Sequence, residues 1–93
     1  MVGVKYEIMQ EMKKSFSKIE KLFSENELKK FIACDPGDLN RYHFGLGTWI
    51  RNELLKDDSP LTAAFLRDGV SQKDDMSQRL IELFHLYARG KYK

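Results

Sequence analysis

Apolar residues recur at spacings of three and four over almost the whole chain, and that period leaves it one class of fold. Between about Lys5 and Phe23 they fall at Ile8, Met9, Met12, Phe16, Ile19, Leu22 and Phe23. This is one face of a helix, with Lys and Glu on the other side and no Pro or Gly to interrupt it. The alternation of apolar and polar residues that marks a half-buried strand is absent throughout.

Helix punctuation divides the rest. Ser24-Glu25-Asn26-Glu27 reads as a capping box, in which the Ser24 hydroxyl and the Glu27 carboxylate each accept from the other residue's amide. A short second helix follows with Leu28, Phe31 and Ile32 inward. It stops near Cys34, because Asp35-Pro36-Gly37-Asp38 is a turn sequence. Asp38 is the predicted N-cap of a third helix, whose apolar positions are Leu39, Tyr42, Leu46, Trp49, Ile50 and Leu54; Phe44 and Leu55 lie off that stripe. Gly45 and Gly47 each cost about 1 kcal/mol inside a helix. Either the helix runs through them and they admit a close neighbour, or it breaks and Thr48 caps a new one. The unbroken apolar phase favours a continuous helix. Ser59 and Pro60 form an N-cap and N1 pair for a fourth helix carrying Leu61, Ala64, Phe65 and Leu66, with Gly69 just past its end. Asp74 and Asp75 open the last helix, with Asp75 and Gln78 imitating a capping box. Met76, Leu80, Ile81, Phe84 and Tyr87 form its inner stripe, and Gly90 ends it. The expected fold is all-α: a compact single-domain bundle of about five short helices over residues 1–93. An N-terminal helical pair occupies 1–38 and a motif-bearing helical core 39–90. Helices this short must share one core to be stable.

Charge and cysteine content narrow the function classes. Sixteen basic against fourteen acidic residues give a net charge of +2. That is too balanced to make nucleic-acid affinity a default, and it counts against an acidic DNA mimic. Basic residues do cluster locally, at Lys13, Lys14, Lys18 and Lys21 and in the tail Arg89-Gly90-Lys91-Tyr92-Lys93. The lone Cys34 permits no intrachain disulfide and suits a reducing cytoplasm. The N-terminal residues lack the apolar run of a signal peptide and the second-position Gly that myristoylation needs. Nothing is long and apolar enough to span a membrane.

Few residues carry the marks of chemistry. His43, His85 and Cys34 do not occur at zinc-ligand spacings, and no metal or cofactor is expected. A Cys34–His pair as a nucleophile is disfavoured by the position of Cys34, at a helix C-terminus beside Asp35; a small half-buried hydrophobe is the simpler role. Asp57-Asp58 and Asp74-Asp75 read as capping groups rather than a catalytic pair. Gly45-Leu46-Gly47 is not a phosphate loop, since position 50 is Ile and no strand precedes it. No catalytic set emerges. The remaining cluster is His43, Trp49, Arg51 and Asn52. Trp49 continues the apolar stripe and is expected in the core; an interface anchor is the alternative. Arg51, always charged and with five donors, pairs with Asp74 or Asp75 in one reading and meets a partner or ligand in the other. Asn52 either bridges a local turn or joins the same surface.

The stretch from about Arg41 to Lys91 resembles a family of small bacterial proteins of uncharacterised function. The shared features are His43-Phe44-Gly45-Leu46-Gly47-Thr48-Trp49-Ile50-Arg51-Asn52 and, later, Asp74-Asp75-Met76-Ser77. Glu53-Leu54-Leu55-Lys56 departs from the aromatic, Gly-containing stretch the resemblance leads one to expect. The resemblance implies a bacterial or phage origin and a compact helical domain, and supplies no catalytic residues.

The expected function is a non-enzymatic, cytoplasmic protein-binding module of the immunity, inhibitor or adaptor type. Its partner is another protein or a second copy of the chain, with no membrane contact. The aromatics Tyr6, Tyr42, Phe44, Tyr87 and Tyr92 exceed what a thin core absorbs, and exposed aromatics favour interfaces. The alternative is a small helical nucleic-acid-binding protein using the Lys-rich first helix and the basic tail.

Overall fold

In a computed structural model of the chain, which describes residues 2–92 and the side chains from Met9 to Tyr92, the described residues are helical and contain no strand. Helix α1 spans Val2–Glu20, α2 Glu25–Ala33, α3 Leu46–Glu53, α4 Pro60–Arg67 and α5 Lys73–Lys91; a 3-10 segment spans Pro36–Tyr42. Ile8 and Tyr6, assigned above to the first stripe and the surplus aromatics, lie outside the described side chains.

The capping signals explain most boundaries. Ser24 Oγ accepts from the Glu27 amide at 3.2 Å, and Glu27 Oε1 accepts from the Ser24 amide at 3.1 Å, completing the capping box of α2. Ser59 Oγ accepts from the Thr62 amide at 3.1 Å with Pro60 opening α4. At the far end of α4 the Gly69 amide reaches the Leu66 carbonyl and the Val70 amide reaches the Phe65 carbonyl. This Schellman arrangement needs a left-handed residue, and Gly69 supplies it at φ 87°.

Several boundaries differ from expectation. Helix α1 ends at Glu20 rather than Phe23, leaving Leu22 45% exposed. The third helix is not continuous: a 3-10 segment fills 36–42, residues 43–45 form a turn, and α3 starts at Leu46. Asp38 therefore lies inside the 3-10 segment instead of capping a helix, and Gly45, not Thr48, is the N-cap of α3. The apolar phase misled because Leu39 and Tyr42 are three apart, a spacing that shares a face in either helix type. In α5 the N-cap is Gln72 with no side-chain cap, so Asp75 and Gln78 form no capping box. The helix also runs through Gly90 to Lys91.

Helix α5 organises the core. Its buried face carries Met76, Ser77, Leu80, Ile81, Phe84, His85 and Ala88, and α2, the 3-10 segment and α3 all pack on it. Helix α1 packs against α4. Phe31 of α2 is the aromatic hub, with ring centroids 5.4 Å from Phe84, 5.2 Å from Phe23, 4.9 Å from Tyr42 and 5.2 Å from His85. Phe16 joins from α1, 5.8 Å from Phe84. Leu54 and Leu55, where the chain departs from its resemblance, are buried in this core. Met9 and Tyr87, each placed above on a buried stripe, are instead exposed, as is Leu66 of α4.

Candidate functional site

Four residues after Gly47, and so directly above it on the same helix face, Arg51 folds its guanidinium back toward the start of α3. Nη1 donates to Ser77 Oγ at 2.9 Å. Nη2 donates to Thr48 Oγ1 at 3.0 Å and to the His43 carbonyl at 3.3 Å. Nε lies 3.6 Å from Asp74 Oδ1, an ion contact rather than a hydrogen bond. Ser77, fully buried, in turn donates to the Asp74 carbonyl at 3.0 Å. One side chain thus ties α3 to the first turn of α5 and to the turn before α3.

Gly47 makes this possible. A Cβ there would stand 3.0 Å from Arg51 Nη1 and 3.5 Å from the Tyr42 carbonyl. Gly45 is different: a Cβ there would meet nothing within 4 Å. Of the two glycines in the motif, only Gly47 is sterically required. Of the two expected acidic partners of Arg51, Asp74 is the one in contact; Asp75 is exposed and makes no ion pair among the described residues.

The four residues singled out in the sequence differ in exposure. Arg51 is largely withdrawn from solvent, with 18% of its side chain exposed. Trp49 is half-buried against the edge of the core. Asn52 is exposed on α3, and His43 is half-buried at the turn. The outlying residue is Phe44, 83% exposed, its ring edge-on to His43 at 5.2 Å. It is the most exposed large apolar side chain among the described residues. Sequence reasoning placed Phe44 off the helical stripe and among the surplus aromatics but did not single it out. The i, i+4 relation of Gly47 to Arg51 was the available signal for the lock beneath it.

A second charged cluster sits at the opposite end of α5. Glu20, the last residue of α1, accepts from Lys91 Nζ at 3.2 and 3.3 Å and from the Tyr92 hydroxyl. The Tyr92 hydrogen bond, with help from Lys91, holds the Glu20 carboxyl below its ordinary 4.5. The same contacts push the Lys91 ammonium and the Tyr92 phenol upward, the Glu20 hydrogen bond being the chief cause for each. Part of the basic tail is therefore neutralised within the chain. Lys13, Lys14, Lys18 and Lys21 are exposed, and Lys14 faces Glu11 at 3.7 Å.

The remaining polar groups are structural in setting. Cys34 is half-buried and donates its S–H to the Asp35 carbonyl at 3.6 Å. Burial pushes the Tyr42 hydroxyl above its ordinary 10.0. His85 is buried beside Phe31, and its Nε2 has no hydrogen-bond partner among the described residues. Among the described residues no three His, Cys, Asp or Glu side chains gather as a metal set, and no helix is long and apolar enough to cross a membrane.

No curated protein and no solved structure matches the chain. A sequence model of a domain of unknown function, DUF6794, matches residues 10–87, a span that holds the Arg51 lock, the Phe44 turn and all but the ends of α1 and α5. On that match the chain belongs to the DUF6794 family.

Proposed function

We propose that this chain is a non-enzymatic protein-binding module of the immunity, inhibitor or adaptor type, of bacterial or phage origin, working in the cytoplasm. The observation that carries the reading is Phe44: an aromatic ring 83% exposed on a turn whose backbone is held from below by Arg51. Aromatic anchors on pre-organised backbone lose little freedom on binding and dominate interface energetics. The surroundings favour desolvation, since Tyr42 to Ile50 carry no formal charge in a chain that is 32% charged. His43, whose ring lies 5.2 Å from that of Phe44, is a candidate for a supporting contact, with Trp49 and Asn52 further along the same motif. Arg51 acts behind the surface by fixing the turn.

A photo-crosslinking amino acid at position 44, expressed in the native host, tests this. The expected result is a discrete adduct with one protein that is absent when the same group replaces exposed Lys29. Phe44→Ala should abolish association with that protein while leaving stability within about 0.5 kcal/mol, as for other surface substitutions. Identical adducts from both positions would overturn the proposal.

A further inference from the structure

The outward face of α5, opposite the Arg51 lock, carries exposed side chains along its length. Ser77, Ile81, Phe84 and Ala88 turn inward, which places Asp75, Arg79, Glu82, Leu86 and Arg89 on the other side of the helix. Leu86 is 63% exposed. With Val70 of the α4–α5 connector and Leu83 it lines an open groove of about 640 Å³, whose rim holds Asp75, Arg79 and Glu82.

The geometry points to a second copy of this chain as the occupant, its α5 running antiparallel across the groove. Charge is what selects that occupant. Asp75 and Arg89 are equidistant from Glu82 along α5, about 21 Å apart. A two-fold axis beside Glu82 sets Asp75 of each copy against Arg89 of the other. The same axis offsets Arg79 by one turn from Glu82 of the other copy, within reach of its long side chain. All four charges are exposed and make no ion pair inside the chain among the described residues. Each finds an opposite charge in the antiparallel dimer, and the two Arg79 side chains flank the pair of Glu82 carboxylates that the axis brings together. A parallel pairing would instead set like charges together. Leu83 meets Leu83 of the second copy, and Leu86 covers the aliphatic stem of its Arg79.

Sedimentation equilibrium of the wild-type chain, Asp75→Arg, Arg89→Asp and a mixture of the two variants tests the pairing, with circular dichroism as a check on folding. The wild type should sediment at twice the 10.9 kDa of one chain. Each charge variant alone should dimerise about tenfold more weakly or worse, because reversal places like charges together twice. The mixture should recover dimer. In it, Asp75→Arg of one copy faces Arg89→Asp of the other, while the unaltered Asp75 and Arg89 pair on the far side of the axis. Leu86→Glu should be monomeric and folded. A wild-type monomer at every concentration would overturn the inference. So would a dimer indifferent to both charge reversals and to Leu86→Glu.

Discussion

Helix α5 is tied down at both ends by charge-assisted hydrogen bonds, yet the two ties differ in kind. At its first turn Arg51 meets Ser77 Oγ, a buried group on a helix already in place, and the His43 carbonyl, a backbone atom. At its last turn Glu20 meets Lys91 and Tyr92, two long side chains that are exposed. The withdrawal of the central group is similar, 18% exposed for the Arg51 side chain and 21% for Glu20. What differs is the freedom of the partners. Fixed partners have lost their entropy before the bond forms; long exposed ones lose it in forming the bond, and water competes for both. The lock should therefore contribute measurably to stability, and the latch little.

The largest effect is expected from removing the lock. Arg51→Ala should cost about 2–3 kcal/mol in urea unfolding, because hydrogen bonds to a charged group are lost and buried Ser77 is left short of a donor. Arg51→Lys should restore under half of this, lacking the planar fork that reaches three acceptors. Ser77→Ala should cost about 1–2 kcal/mol and be non-additive with Arg51→Ala. Asp74→Ala should cost less than about 1 kcal/mol, its carboxylate being 72% exposed and not hydrogen-bonded to the arginine. Asp75→Ala should be additive with Arg51→Ala, because the two do not touch; equal coupling for Asp74 and Asp75 would break the assignment.

Gly47 gives a sharper test because its sign depends on the background. With Arg51 present, Gly47→Ala sets a methyl 3.0 Å from Nη1 and strains the lock. With Arg51 removed, only the Tyr42 carbonyl remains nearby, in ordinary contact at 3.5 Å. There the same substitution should stabilise by about 1 kcal/mol, the helix-propensity gain of Ala over Gly. A destabilisation in both backgrounds would mean that Gly47 serves something other than the guanidinium.

The smallest effect belongs to the latch and is best seen on acidification. Glu20, Glu27 and Asp57 all have carboxyl values held below the ordinary range, by the Tyr92 hydroxyl, the Ser24 amide and Lys73 respectively. A carboxyl depressed in the folded state contributes stability that is full above its ordinary value and is lost as pH falls through the depressed one. Stability should accordingly decline below about pH 4.5. Glu20→Gln should flatten part of that decline while leaving the melting temperature at neutral pH almost unmoved. A large loss at neutral pH would make the latch the equal of the lock.

The contrast also explains what can be read from the residues alone. Caps are local chemistry, so Ser24 with Glu27, Ser59 with Pro60, and Gly69 announce themselves. The face of α5 follows from its period, with Met76, Leu80, Ile81 and Phe84 all buried. The break at 43–45 is hidden because a 3-10 turn preserves the three-residue spacing of Leu39 and Tyr42. Without that break, the orientation of Phe44 does not follow. Its exposure depends on the turn, and the turn depends on Arg51 reaching back eight residues to the His43 carbonyl. Ser77 is visible only as the last letter of a motif. Its partner lies 26 residues away, a distance that helical periodicity does not span.

The position of α5 in the chain has a consequence for the order of events during synthesis. The helix on which α2, the 3-10 segment and α3 all pack is the last of the described elements to be made. Until it leaves the ribosome, Phe31 and Leu39 lack the face of α5 that buries them, and α2, α3 and α4 are too short to persist alone in water. These segments should therefore remain largely unstructured until α5 is available and then collapse together. A fragment ending before Lys73 should present exposed amphipathic segments to chaperones and proteases, rather than a partly built domain.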